Sequence, residues 1–144
     1  MLRQHAVIVC ALFLLTGAAP IEEKPIRAAD VPREFKGQFT WKDADMSFNL
    51  TLTIDKIDEK DGVIRFSGSH LYTPGDYKMK IEGTIDAKSR HITIQESDPS
   101  REDSDIDGSF EGTISKGLDS IEAVWTTKST GKKGDLKVEA KKSK

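Results

Sequence analysis

The sequence has almost no cysteine. Its one thiol, Cys10, lies inside the N-terminal apolar run, so a chain that sheds that run keeps none. No disulfide can then brace the fold, and no thiolate can complete a zinc site. Histidine is nearly as scarce, with His70 and His91 the only two beyond residue 5. No apolar run is long enough to cross a bilayer as a helix. The longest, Ala6 to Leu15, is roughly half the length a spanning helix needs. Catalytic signatures are missing too. Ser69 lies in "SGSHL", which is not a G-x-S-x-G elbow, and no Ser/His/Asp ordering stands out. The expectation is a protein that is not an enzyme.

The opening residues have the form of a secretory signal. Arg3 supplies the positive start, Ala6 to Leu15 the apolar centre, and Thr16-Gly17-Ala18 a small-residue cleavage site. Residues 1–18 are therefore expected to be removed, with the cut near Ala18 and the product secreted or periplasmic. Cys10 does not mark a lipoprotein, because Val9 precedes it and the apolar run continues past it. Loss of Arg3 leaves 21 basic against 24 acidic residues, a net charge of −3. A mildly acidic surface does not suit phosphate backbones, so no nucleic-acid partner is expected.

Residues 19–34, "APIEEKPIRAADVPRE", carry three prolines and no sustained period, and read as an N-terminal linker. From residue 35 to 144 the chain reads as one domain ending in a lysine-rich tail. Nearly every segment there alternates with a period of two, the mark of half-buried strands. Phe35, Gly37, Phe39 and Trp41 share a face. So do Met46, Phe48, Leu50, Leu52 and Ile54. Six further segments follow, centred on Phe66, Ile81, Ile92, Phe110, Ala123 and Val138. Short turn sequences such as Asp61-Gly62 and Pro74-Gly75 separate them.

Connections this short join antiparallel neighbours, so the expected fold is all-β: about eight strands in an up-and-down meander. Closing the meander into a barrel removes both exposed edges, and a two-sheet β-sandwich is the alternative. Gly37, Gly68, Gly83, Gly108 and Gly112 all fall on the inward face. A missing side chain there permits sharp bending or close backbone approach, which favours closure.

The run "YKMKIEGTIDAKSRHITIQES…DGSFEGTI…IEAVWTTK" resembles the strand pattern of small secreted β-meander domains, lipocalin- or avidin-like in shape. The resemblance implies a barrel and carries over no binding residues. Ala123 stands where a G-x-W glycine is usual, and Trp41 follows Phe39 rather than a glycine.

Four groups of residues invite a functional reading. The first is "REDSDIDGSFEG", where Asp103, Asp105 and Asp107 precede Gly108 as in a calcium loop. The twelfth position should be a bidentate Glu but is Ile114. Strand parity offers the plainer account, in which Ile106, Gly108 and Phe110 face inward and the carboxylates face solvent. Calcium is thus a candidate cofactor, with no other expected.

The second group is His70, Tyr72 and Glu96. His70 shares the inward parity of Ile64 and Phe66, while His91 faces out, so the two do not converge on a metal. Glu96 continues the parity of Ile92 and Ile94. The favoured reading ends that strand at Gln95 and leaves Glu96 wet at the rim. If Glu96 turns inward, it needs a partner, and His70 and Tyr72 are its candidates. The third group is Trp41 and Trp125, which are core fillers first and ligand-stacking walls second. The fourth is surface chemistry: Asn49-Leu50-Thr51 is a glycosylation sequon with Asn49 facing outward, relevant in a eukaryotic secretory pathway.

Two expectations about function follow. The first is a binding module holding a small apolar or amphipathic ligand in the lumen near Trp41, His70, Tyr72, Glu96 and Trp125. The second is a protein-interaction or inhibitor-type barrel that uses loops and its outer face. An interior filled by Phe39, Phe48, Phe66, Phe110 and Trp125 would favour the second.

Overall fold

In the computed structural model, which describes residues 17–100 and 108–142, eight antiparallel strands form a closed barrel. They are β1 (Glu34–Trp41), β2 (Ser47–Lys60), β3 (Val63–Thr73), β4 (Tyr77–Asp86), β5 (His91–Ser97), β6 (Gly108–Ile114), β7 (Ser120–Thr127) and β8 (Lys133–Ala140). Each strand pairs with the next, and β1 closes on β8 with Phe35 opposite Ala140 and Trp41 opposite Gly134. Closure leaves no row of unpaired backbone groups at a sheet edge. The up-and-down barrel is therefore the architecture, and the sandwich is not.

The alternation read from the sequence sets which side chains face the core. Leu50, Leu52 and Ile54 on β2, Ile64 and Phe66 on β3, and Ile92 and Ile94 on β5 are all buried. Met46 departs from that pattern: it precedes β2 and is 48% exposed. Its carbonyl accepts from the Trp41 amide in the β1–β2 turn, which holds Met46 off the strand. Ile106, the expected start of strand six, lies outside the described residues.

A bulge breaks the parity of β2. Ile54 lies opposite Gly68, but Lys56 lies opposite Ser67, so Asp55 is the extra residue. Beyond the bulge Ile57 takes the inward side opposite Phe66, and Lys56 and Asp58 turn outward. Uninterrupted alternation would have aimed both charges into the core, at several kcal/mol each.

The barrel ends differ. At one end, residues 19–34 are held on the structure although they read as a linker. Ile26 and Val31 are buried, and the Ile26 amide donates to Ala87 O. Glu23 is clamped by Arg90 at 2.7 Å and Lys116 at 2.9 Å. The Ala28 amide donates to Glu59, and Arg33 O accepts from Ile54 beside the bulge. This segment, with one 3-10 turn (Ala28–Asp30), caps that end. The opposite end carries the β1–β2, β3–β4, β5–β6 and β7–β8 connections and has no such cap among the described residues.

Candidate functional site

This opposite end is aromatic. Phe39 lies at the centre, with ring centroids 5.3 Å from Trp41, 6.1 Å from Tyr72, 6.0 Å from Phe110 and 6.1 Å from Trp125, all edge-on. Trp41 and Trp125 meet edge to face at 5.0 Å. Tyr77 stacks on Tyr72 at 4.8 Å. Phe39, Phe110 and Trp125 are buried here, as is Phe66 nearer the capped end, while Trp41, Phe48 and Tyr77 are half-buried at the rim.

Glycines let these rings reach the barrel wall. Phe39 rests on Gly134, Trp125 on Gly108 and Phe66 on Gly83, and a Cβ at any of the three would overlap the ring. The aromatic side chains thus interlock with one another and with the backbone, as close packing of a small eight-stranded interior requires.

One polar network lies within this apolar packing. His70 Nδ1 and Glu96 Oε1 are 2.6 Å apart, and the Tyr72 hydroxyl donates to the same oxygen. Glu96 is only 4% exposed, inside β5, which runs to Ser97. The expectation that Glu96 stays wet at the rim is therefore corrected. The strand continues two residues further because Ile81 and Lys80 of β4 pair with Glu96 and Ser97. Burial, followed by the nearby Glu96 charge, pushes the Tyr72 phenol well above its ordinary value, so Tyr72 stays a donor. His70 Nε2 is buried and has no hydrogen-bond partner among the described residues.

Trp41, His70, Tyr72, Glu96 and Trp125 therefore share one end. Phe39 joins the indoles to Tyr72, and Phe110 contacts both His70 and Trp125. His91 is exposed, apart from this network. Asp103, Asp105 and Asp107 lie outside the described residues. Among the described residues no group of three or more metal-binding side chains occurs. No helix among them is long and apolar enough to cross a membrane.

A second feature was not singled out in the sequence. A hollow of about 500 Å³ lies on the outer wall across β2 to β6. Its floor carries the hydroxyls of Ser67, Thr84, Thr93 and Ser109, all half-buried. Lys56, Asp58, Arg65 and Glu82 stand around it, the first two placed there by the bulge. The available signal was the outward parity of small hydroxyl residues on four consecutive strands. The concavity itself comes from sheet curvature, which no single strand encodes.

The chain matches no known protein family and no curated protein. No relative therefore bears on the lipocalin- or avidin-like resemblance read from the strand pattern. Function must be argued from the two features above.

Proposed function

We propose that this protein is an exported, non-catalytic binding module that engages its ligand from outside the barrel. The interlocked interior supports this reading. Phe39, Phe110 and Trp125 are buried against one another, and Phe39 and Trp125 sit directly on wall glycines. A lumenal ligand would have to displace rings already in contact, whereas the outer hollow is open and within the size range of ligand sites.

A second reading, a small amphipathic ligand at the aromatic end, is favoured by one observation. The buried His70 Nε2, without a partner among the described residues, is a polar atom that a ligand could satisfy.

Native mass spectrometry of the protein purified from its source separates the two. Outside engagement predicts the bare chain mass, with no small molecule surviving desolvation. A retained small apolar molecule, lost on a Trp125→Ala substitution, would overturn it and select the aromatic end.

A further inference from the structure

Several charges on this barrel are paired. Lys137 meets Glu122, Lys80 meets Asp98, and Lys42 meets Asp135, each at 3.2 Å or less. The outer hollow gathers four that are not. Asp58 and Arg65 are directly opposite in the β2–β3 register, and Lys56 and Glu82 flank Ser67 from the two neighbouring strands. Yet Lys56, Asp58, Arg65 and Glu82 make no ion pair or side-chain hydrogen bond among the described residues. Four charged groups of alternating sign surround one concavity, none of them tied to a protein partner among the described residues.

The lining narrows the chemistry of an occupant. Two cations and two anions sum to zero, so the hollow attracts neither a polyanion nor a polycation by net charge. The floor hydroxyls each donate one hydrogen bond and accept two. Thr84 Oγ1 and Thr93 Oγ1 already bond each other at 2.8 Å, so one of their two hydroxyl protons is engaged and acceptor capacity remains. An apolar peptide laid here would strip water from these groups without replacing its hydrogen bonds, which is unfavourable. A ligand dense in both donors and acceptors, and itself uncharged, meets every group present. Hydroxyls against carboxylate or guanidinium form the stronger, charge-assisted kind of bond.

We propose that the outer hollow binds an uncharged polyhydroxylated chain, that is, a neutral oligosaccharide segment. The inference rests on the outside-binding reading and deepens it by naming the ligand class. Asp58 and Glu82 accept from sugar hydroxyls, Lys56 and Arg65 donate to hydroxyl and ring oxygens, and the floor hydroxyls do both. The bulge in β2 serves the site, because it carries Lys56 and Asp58 to the outer wall.

The test is a titration of the full mature chain with neutral tetrasaccharides (maltotetraose, cellotetraose and chitotetraose), followed by amide NMR. The expected result is a set of shifts centred on Ser67, Thr84 and Thr93 with at least one of the three, and affinity nearly equal at low and high salt. Arg65→Ala and Glu82→Gln should each weaken binding by about tenfold while leaving the rest of the spectrum in place. Both side chains are exposed, so the fold should tolerate their loss. No response to any saccharide would overturn the oligosaccharide assignment. A response at the hollow only to heparin or to a purified protein partner would overturn it too, and leave the outside-binding reading standing. Shifts confined to His70, Tyr72 and the aromatic rim would overturn both.

Discussion

His70 and Glu96, 26 residues apart in sequence, meet through Nδ1 and Oε1 at 2.6 Å in a site where neither is appreciably exposed. Tyr72 completes the contact on the same oxygen. A buried acid and a buried imidazole each cost several kcal/mol alone, and together they offset much of that cost.

Breaking the pair from one side should therefore be worse than removing it. Glu96→Ala is expected to lower the unfolding free energy by about 3–5 kcal/mol, because it strands His70. The double variant Glu96→Leu with His70→Leu should recover most of that loss. Urea unfolding of the three proteins measures both values. A double variant no more stable than Glu96→Ala would show that the pair is not a coupled unit.

Tyr72 should make stability fall at alkaline pH. Its folded phenol titrates above the unfolded value of 10.0, so the unfolded chain releases that proton first. The contribution is fully present below pH 10 and declines as pH rises beyond it, at up to about 1.4 kcal/mol per pH unit. Tyr72→Phe should flatten this slope and cost about 1 kcal/mol at neutral pH through the lost hydrogen bond. Denaturant midpoints across the alkaline range give the slope directly.

The capping segment should respond to acid. The Glu23 carboxyl is held below its ordinary 4.5, first by the hydrogen bond from Lys116 and then by that from Arg90. A depressed acid supports the docked state above about pH 4.5 and stops doing so as pH falls through its folded value. The protection factor of the Ile26 amide, which donates to Ala87 O, should fall in acid before those of the barrel strands. Glu23→Gln should lower it at neutral pH. Unchanged protection in that variant would mean that Ile26 burial alone holds the segment.

Gly134 and Gly37 should tolerate alanine differently. At Gly134 a Cβ meets the Phe39 ring, which can shift, so overpacking should cost about 1–3 kcal/mol. At Gly37 it meets backbone of β8, with Val138 Cα at 2.7 Å, which moves only with the strand. Gly37→Ala should therefore be the more damaging. Thermal melts of the two variants rank them, and equal melting temperatures would contradict the close approach of β1 to β8.

What the sequence determined by itself is what a period of two can carry. Alternation assigned Leu50, Leu52, Ile54, Phe66, Ile92 and Phe110 to the core, and short turns made neighbouring strands antiparallel. Inward glycines such as Gly37 and Gly112 pointed to closure, and a Cβ at either would strike the adjoining strand. The end of a strand is less legible, because pairing there depends on a partner elsewhere in the chain. Glu96 turned inward because β4 supplies Ile81 as its partner and β3 brings His70 and Tyr72 across the interior.

The bulge at Asp55 left a trace, since Ile57 breaks the parity of Ile54, but only register against β3 shows which residue is extra. The docking of Ile26 left no trace at all, as a lone apolar residue in a proline-rich segment has no period. The outer hollow is likewise decided by tertiary structure. Curvature of five paired strands creates it, and curvature belongs to the sheet rather than to any one strand.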